Sequence, residues 1–210
     1  FIKHIVEAKG LKKAEEFIDA VLMPTPYAVL KGTRFIAREI LPDGGLMTID
    51  AGGATTDVHS IYKNHIEEGV IYKGLPQPEE KRTVEGDLGL RHNIDNIYEQ
   101  FTEPLVRHLR TDGFDQPESV ITEYIERCKQ RTDYVPETPA EKLMEKWLTV
   151  MAIKASIERH VGQLKQVVTP AGQFYFQEGK DFRRLKHVIV TGGPLLHQDV
   201  GELLRSTWKC

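Results

Sequence analysis

The run Asp50-Ala51-Gly52-Gly53-Ala54-Thr55-Thr56-Asp57 has the residue types that could hold a phosphate chain and a divalent cation. Backbone N–H groups meet phosphate oxygens closely only where no side chain stands in the way. Gly52 and Gly53 lack a Cβ, so they permit that approach and the positive φ values of a tight turn. Thr55 and Thr56 add hydroxyl donors. The flanking carboxylates of Asp50 and Asp57 repel phosphate unless a cation stands between, which suits Mg²⁺ held largely through its own waters. A plain hairpin turn uses the same Gly-Gly and Asp residues, and Asp-x-Gly-Gly alone fits it equally well. The paired carboxylates and paired threonines around the glycines favour phosphate.

A second glycine turn ends the apolar run His187-Val188-Ile189-Val190-Thr191-Gly192-Gly193-Pro194, where bare backbone would let a flat ring pack. Neither Gly-x4-Gly-Lys-Ser/Thr nor Gly-x-Gly-x-x-Gly occurs, so a nucleotide site here belongs to another architecture. The remaining chemistry is sparse. His59 and His65 have no carboxylate placed as a third ligand, so the eight histidines read as surface or satisfied core residues. Cys128 lies in a helical pattern and reads as a small buried side chain. Nothing in the spacing of Tyr27 or His92 assigns them a role.

These turns need elements to carry them. Residues 11–20 read as a helix, and another opens at Thr25-Pro26, with Thr25 as cap and Pro26 at the first helical position. Its apolar positions are Ala28, Val29, Phe35, Ile36 and Ile40, before Leu41-Pro42-Asp43-Gly44-Gly45 breaks it. Strands are expected at 46–50 and 55–62, flanking the first turn, and shorter ones at 70–72 and 82–84. From about 87 to 166 the pattern turns helical: Ile94, Ile97, Tyr98, Phe101, Leu105 and Leu109 form one stripe, and 119–131 another. The capping box Thr138-Pro139-Ala140-Glu141 starts the longest helix. Strand signals return at 173–177 and 187–190, and a helix follows over 199–207. Strands at both ends around a helical middle predict one α/β unit with a helical insertion.

Composition bounds the function. The net charge of -3 lacks the basic footprint of a nucleic-acid or membrane-surface protein. No apolar stretch reaches the ~20 residues of a membrane span. Cys128 and Cys210 suggest neither a disulfide framework nor a zinc site, which points to a reducing, cytoplasmic setting. With Phe1 first and a helix-like stretch last, the chain reads as a piece of a longer protein.

In this order the motifs resemble a known superfamily. Asp50–Asp57 resembles the second phosphate motif of the acetate-kinase/sugar-kinase/Hsp70/actin proteins, and Thr191–Pro194 their adenosine motif. More narrowly, the chain resembles the MutL-like glutamate mutase accessory family. The matching segments are Met23-Pro24-Thr25-Pro26-Tyr27-Ala28-Val29-Leu30, Asp50 through Ser60, Arg82-Thr83-Val84-Glu85-Gly86-Asp87-Leu88-Gly89, Gln177-Glu178-Gly179-Lys180-Asp181 and the turn Thr191-Gly192-Gly193.

The resemblance implies an actin/Hsp70-like (ribonuclease H-like) nucleotide-binding fold, as the C-terminal lobe with an inserted helical subdomain. The core lobe would comprise 1–86 and 167–210, the insertion 87–166, and an N-terminal lobe with the first phosphate motif would lie outside this chain. It implies ATP or ADP with Mg²⁺ as ligands. Asp50 and Asp57 would be the catalytic and metal-holding pair, acting through water. Gly52, Gly53, Thr55 and Thr56 would hold phosphates, Thr191, Gly192 and Gly193 would flank the adenine, and Glu85-Gly86-Asp87 would lie near the nucleotide. The implied function is that of an ATP-dependent reactivating, chaperone-like factor for an adenosylcobalamin-dependent mutase, glutamate mutase or a related aminomutase. With half the phosphate contacts absent, weak ATP binding and negligible hydrolysis are expected of this chain by itself. A small-molecule kinase and a filament-forming actin relative are the alternatives on the same fold.

Overall fold

The computed structural model describes residues 24–40, 44–170 and 172–209. The helix expected over 11–20 and the breaker residues Leu41-Pro42-Asp43 lie outside them. Among the described residues the architecture is mixed α/β, with two mixed sheets and five α-helices.

The central sheet forms where β-branched and apolar residues run between glycines. β1 (Leu46–Ala51) pairs antiparallel with β2 (Thr56–Ile61) and parallel with β7 (His187–Thr191). β4 (Glu80–Glu85) borders β2, giving the order β4-β2-β1-β7. β1 and β2 are buried along nearly their whole length because helices cover both faces of the sheet. On one face lies α1 (Thr25–Phe35), continued by a π-helical turn over Ile36–Ile40. Its contact with the sheet gathers Leu30, Ile36 and Ala37 onto Leu46, Ile61 and Ile189, and Thr33 donates its hydroxyl hydrogen to Thr48 across 2.9 Å.

The other face carries the helical middle: α2 (Ile94–Thr111), α3 (Pro117–Gln130) and α4 (Pro139–His160). α5 (Val200–Lys209) packs beside α4. Met47, Ile49, Ala51 and Val58 of the sheet share one core with Ile97, Leu105, Ile121, Leu148, Ile153 and Leu203 of these helices. α4 opens with the expected capping box: Glu141 N–H donates to the Thr138 hydroxyl, and the Glu141 carboxylate accepts from Thr138 N–H. Cys128 is fully buried and free, in the small apolar role its helical pattern suggests.

The second sheet, in the order β3-β6-β5, stands apart from this core. It comprises β3 (Val70–Lys73), β5 (Gln163–Thr169) and β6 (Gly172–Glu178), and most of its side chains face solvent. No described helix is long and apolar enough to cross a membrane.

Three local expectations need correction. Pro24, not Thr25, is the cap of α1, because both Tyr27 N–H and Ala28 N–H close onto the Pro24 carbonyl and draw the first turn back by a residue. Phe35 and Ile40 are each 60% exposed, since the face of this helix that meets the sheet is the one bearing Thr33 and Ala37. The helical stretch ends at His160 and not near 166. Gly162 follows, with its Cα too close to the 178–180 backbone to admit a Cβ, and the β-branched Val167-Val168 continue as strand β5.

Candidate functional site

The first glycine turn is the connection between β1 and β2, whose last register pairs are Asp50 with Asp57 and Ala51 with Thr56. Gly52 N–H donates to Thr55 O at 2.9 Å and closes it. The carbonyls of the turn point toward the segment that follows β4. Gly52 O accepts from Leu90 N–H at 3.0 Å, and Gly53 O from Arg91 N–H and His92 N–H at 2.8 and 2.9 Å. Within a planar peptide unit the N–H points away from the C=O. The amides of Gly53 and Ala54 are thus directed away from that segment. Among the described residues, the amides of Gly53, Ala54 and Thr55 have no hydrogen-bond partner.

The two carboxylates differ. Asp57 is buried; its Oδ1 accepts from Arg82 Nη2 at 2.7 Å and Nε at 3.1 Å, and its Oδ2 from the Thr55 hydroxyl at 2.9 Å. Asp50 is half-buried, and its carboxylate has no hydrogen-bond or ion-pair partner among the described residues. Burial first, then the negative charge of Asp57 across the strand pair, raise its carboxyl above the ordinary value. A carboxylate that is destabilised and unpartnered fits a hydrated divalent cation, whose charge would restore its ionised form. Of the two threonines, Thr55 faces Asp57, while the Thr56 hydroxyl is used internally, donating to Leu88 O at 2.7 Å.

The second glycine turn lies beside the first. β7 runs parallel to β1 with Thr191 opposite Asp50, so both turns leave the carboxyl ends of neighbouring strands. Gly192 has φ of 127°, and a Cβ there would fall 2.0 Å from Ala51 O. Only glycine permits that approach. Gly193 has open space around it and begins a short 3₁₀ turn to His197.

A cleft of about 450 Å³ reaches both turns, with Gly53 and Gly193 in its lining, and α4 contributes Lys142, Leu143 and Lys146. This volume suits a small organic ligand such as a nucleoside. Buried Arg91 and Glu145 also line it, joined by two bonds: Nη2 to Oε1 at 2.9 Å and Nη1 to Oε2 at 3.1 Å. Lys146 Nζ lies 2.6 Å from Glu202 Oε1, bridging α4 to α5 beside the cleft.

A family model described as MutL protein matches residues 1–208 of this chain. The chain belongs to the MutL family. Protein MutL of Clostridium tetanomorphum is 41% identical to it over 215 residues, an alignment covering 98% of this chain and 45% of that relative. The chain therefore spans less than half the length of the curated relative it matches.

In this MutL-family chain the segment Glu85-Gly86-Asp87-Leu88-Gly89 supports the first glycine turn through its backbone. Gly89 packs where a Cβ would fall 2.3 Å from Ala54 O, and Leu88 is fully buried. Asn93 Nδ2 donates both to Gly86 O and to Ala54 O, at 2.7 and 3.0 Å. The carboxylates of Glu85 and Asp87 are engaged by Arg159, which approaches them at 2.8 and 2.7 Å. That pairing holds the Asp87 carboxyl down to about 2. Helix α2 begins seven residues later, at Ile94, so Asp87 is not a helix cap. The segment Gln177–Asp181 forms the junction of the second sheet: Gln177 Nε2 and Asp181 N–H both donate to Asn64 Oδ1, and buried Lys180 donates to Glu79 O. The sequence placed Arg82 only in a strand and a family-like segment, with no role at the site, and passed over Arg91, Tyr134, Lys142, Glu145 and Lys146. The i, i+4 spacing of Lys142 and Lys146 on a capped helix was available as a signal. For Arg82 and Arg91 there was none, because their partners lie on other elements.

Proposed function

We propose that this chain supplies most of an ATP-binding domain of the actin/Hsp70/sugar-kinase type. The protein that carries it would act as a reactivating factor for an adenosylcobalamin-dependent mutase such as glutamate mutase. The observation that carries the nucleotide reading is the cleft of about 450 Å³ with Gly53 in its lining at one turn and Gly193 at the other. In this reading 1–86 and 167–210 form the core of the lobe, 87–166 is the helical insertion, and the opposing lobe belongs to the rest of the protein. The adenine packs against Gly192-Gly193, and the unengaged amides of Gly53, Ala54 and Thr55 receive phosphate oxygens. Asp50 holds Mg²⁺ through water, and the cation neutralises phosphate charge. Asp57, fixed by Arg82, orients Thr55 and the waters beside it.

Membership of the MutL family supports the mutase half of the reading, since the family resemblance is to accessory factors of glutamate mutase. Closure of two lobes on Mg·ATP and reopening after hydrolysis would transmit force to the mutase and help it release damaged cobalamin. The reading includes a cytoplasmic setting, which the free buried thiol of Cys128 supports.

Isothermal titration of the natural-length protein with Mg·ATP and Mg·ADP tests the site. Asp50→Ala and Gly53→Val should each weaken binding by about tenfold or more, and binding that survives both substitutions overturns the phosphate assignment. Co-purification with glutamate mutase should depend on the nucleotide supplied; its absence with every nucleotide would sink the partner assignment.

A further inference from the structure

Arg91 touches both halves of the candidate site. Its backbone N–H holds Gly53 O at 2.8 Å, beside the bonds from Leu90 and His92 to the same turn. Its guanidinium reaches α4 and the segment before it: two bonds go to Glu145, one to Tyr134 O at 3.1 Å, and one returns to Leu90 O at 2.6 Å. Arg91 and Glu145 are both buried and both line the cleft, where α4 also supplies Lys142 and Lys146. The Glu145 carboxylate is fixed further by the hydroxyl of Tyr124 on α3.

The peptide geometry gives these contacts a direction. Gly53 C=O and Ala54 N–H belong to one planar unit, as do Gly52 C=O and Gly53 N–H. Holding the two carbonyls from residues 90–92 sets the line along which the two unengaged amides point. A two-pronged Arg–carboxylate pair is stiff in angle as well as distance. A ligand that shifts α4 against the cleft therefore moves the guanidinium, and with it the backbone that aims those amides. Stability alone is a weak account of the pair, because two buried charges are generally replaced by apolar side chains at little cost.

From this geometry we infer that Arg91, held by Glu145, is a positioning residue that couples the nucleoside end of the site to the phosphate turn. The inference rests on the nucleotide reading above. It assigns Arg91 no contact with the phosphates: the residue acts through the Gly53 and Ala54 amides.

The test compares two probes, adenosine and Mg·ATP, on the natural-length protein by isothermal titration, and reads the affinity for Mg·ATP divided by that for adenosine. The double variant Arg91→Met, Glu145→Met removes both charges together, so neither is left buried and alone. Its affinity ratio should fall by about tenfold, and its melting temperature should fall as well, because the Tyr124 hydroxyl and the Leu90 and Tyr134 carbonyls lose their partners. Glu145→Gln keeps the shape and one acceptor, and should lower the ratio in the same direction by less. If the double variant does not fold, Glu145→Gln decides by itself. A ratio unchanged in the folded variants overturns the coupling and leaves the pair a purely structural one. A wild-type protein that binds neither probe overturns the nucleotide reading itself.

Discussion

At the scale of the residue, the two adjacent glycines of the second turn have different jobs. Gly192 is required by the backbone, because φ of 127° and a would-be Cβ at 2.0 Å from Ala51 O exclude any side chain. Gly192→Ala should cost about 3 kcal/mol or more in chemical denaturation. Gly193 has nothing within reach of a Cβ, so Gly193→Ala should change stability by no more than about 0.5 kcal/mol. A bulkier Gly193→Val should still fold, yet weaken nucleotide binding if the base packs there. His160 offers a test of a different kind. Its ring lies between Ser60 Oγ and Thr83 Oγ1 at 2.8 and 2.9 Å, and burial, with Lys81 and Lys180 nearby, lowers it to about 3. The folded state thus resists protonating a ring that the unfolded chain protonates below about 6.5. The contribution is full above that pH and is lost as pH falls from there toward 3, at about 1.4 kcal/mol per pH unit. His59, fully buried and likewise lowered, acts in the same direction. Urea unfolding at pH 7.5 and 5.5 should show this loss, and His160→Gln should flatten it.

At the scale of the element, α4 is where local sequence and tertiary packing agree. Thr138→Ala removes one cap bond and should cost about 1 kcal/mol. Glu141→Ala should cost about 3 kcal/mol, because its carboxylate also accepts from Glu137 N–H and the Tyr134 hydroxyl and pairs with Arg127. Denaturation midpoints of the two variants check both figures. That helix was legible in the sequence because its start signal is local: Thr-Pro-Ala-Glu fixes the backbone within one turn. The strands flanking the first glycine turn were legible for the same reason, their ends marked by Gly44-Gly45 and Gly52-Gly53. Strand β5 was not, since Gln163-Leu164-Lys165-Gln166 has no period-2 apolar face to declare it and the strand exists by pairing with β6. Nor was the packed face of α1 and its π-helical turn, where Thr33 and Ala37 are buried beside Leu30 and Ile36 while Phe35 and Ile40 face water. Of the candidate site, the glycines and carboxylates could be read from residue types. Which carboxylate is tied down by Arg82, and that Arg91 underlies the turn, depend on strand register and on a helix tens of residues away.

At the scale of the whole molecule, protection is divided unequally. β1 and β2 are covered on both faces, whereas β5 pairs on one edge only and its side chains are exposed. Amide hydrogen exchange followed by mass spectrometry should find β5 exchanging orders of magnitude faster than β1, whose amides should open only with global unfolding. Equal protection of the two would mean that something else covers the second sheet. The pairing of β1 with β7 joins residues roughly 140 positions apart, a separation that makes closure entropically costly and slow. Until β7 has emerged from the ribosome, β1 has an open edge and Ala51 has no Gly192 to meet. The cleft between the two turns therefore cannot form before β7 is made, and a nascent protein stopped short of residue 187 would have its first glycine turn and no pocket.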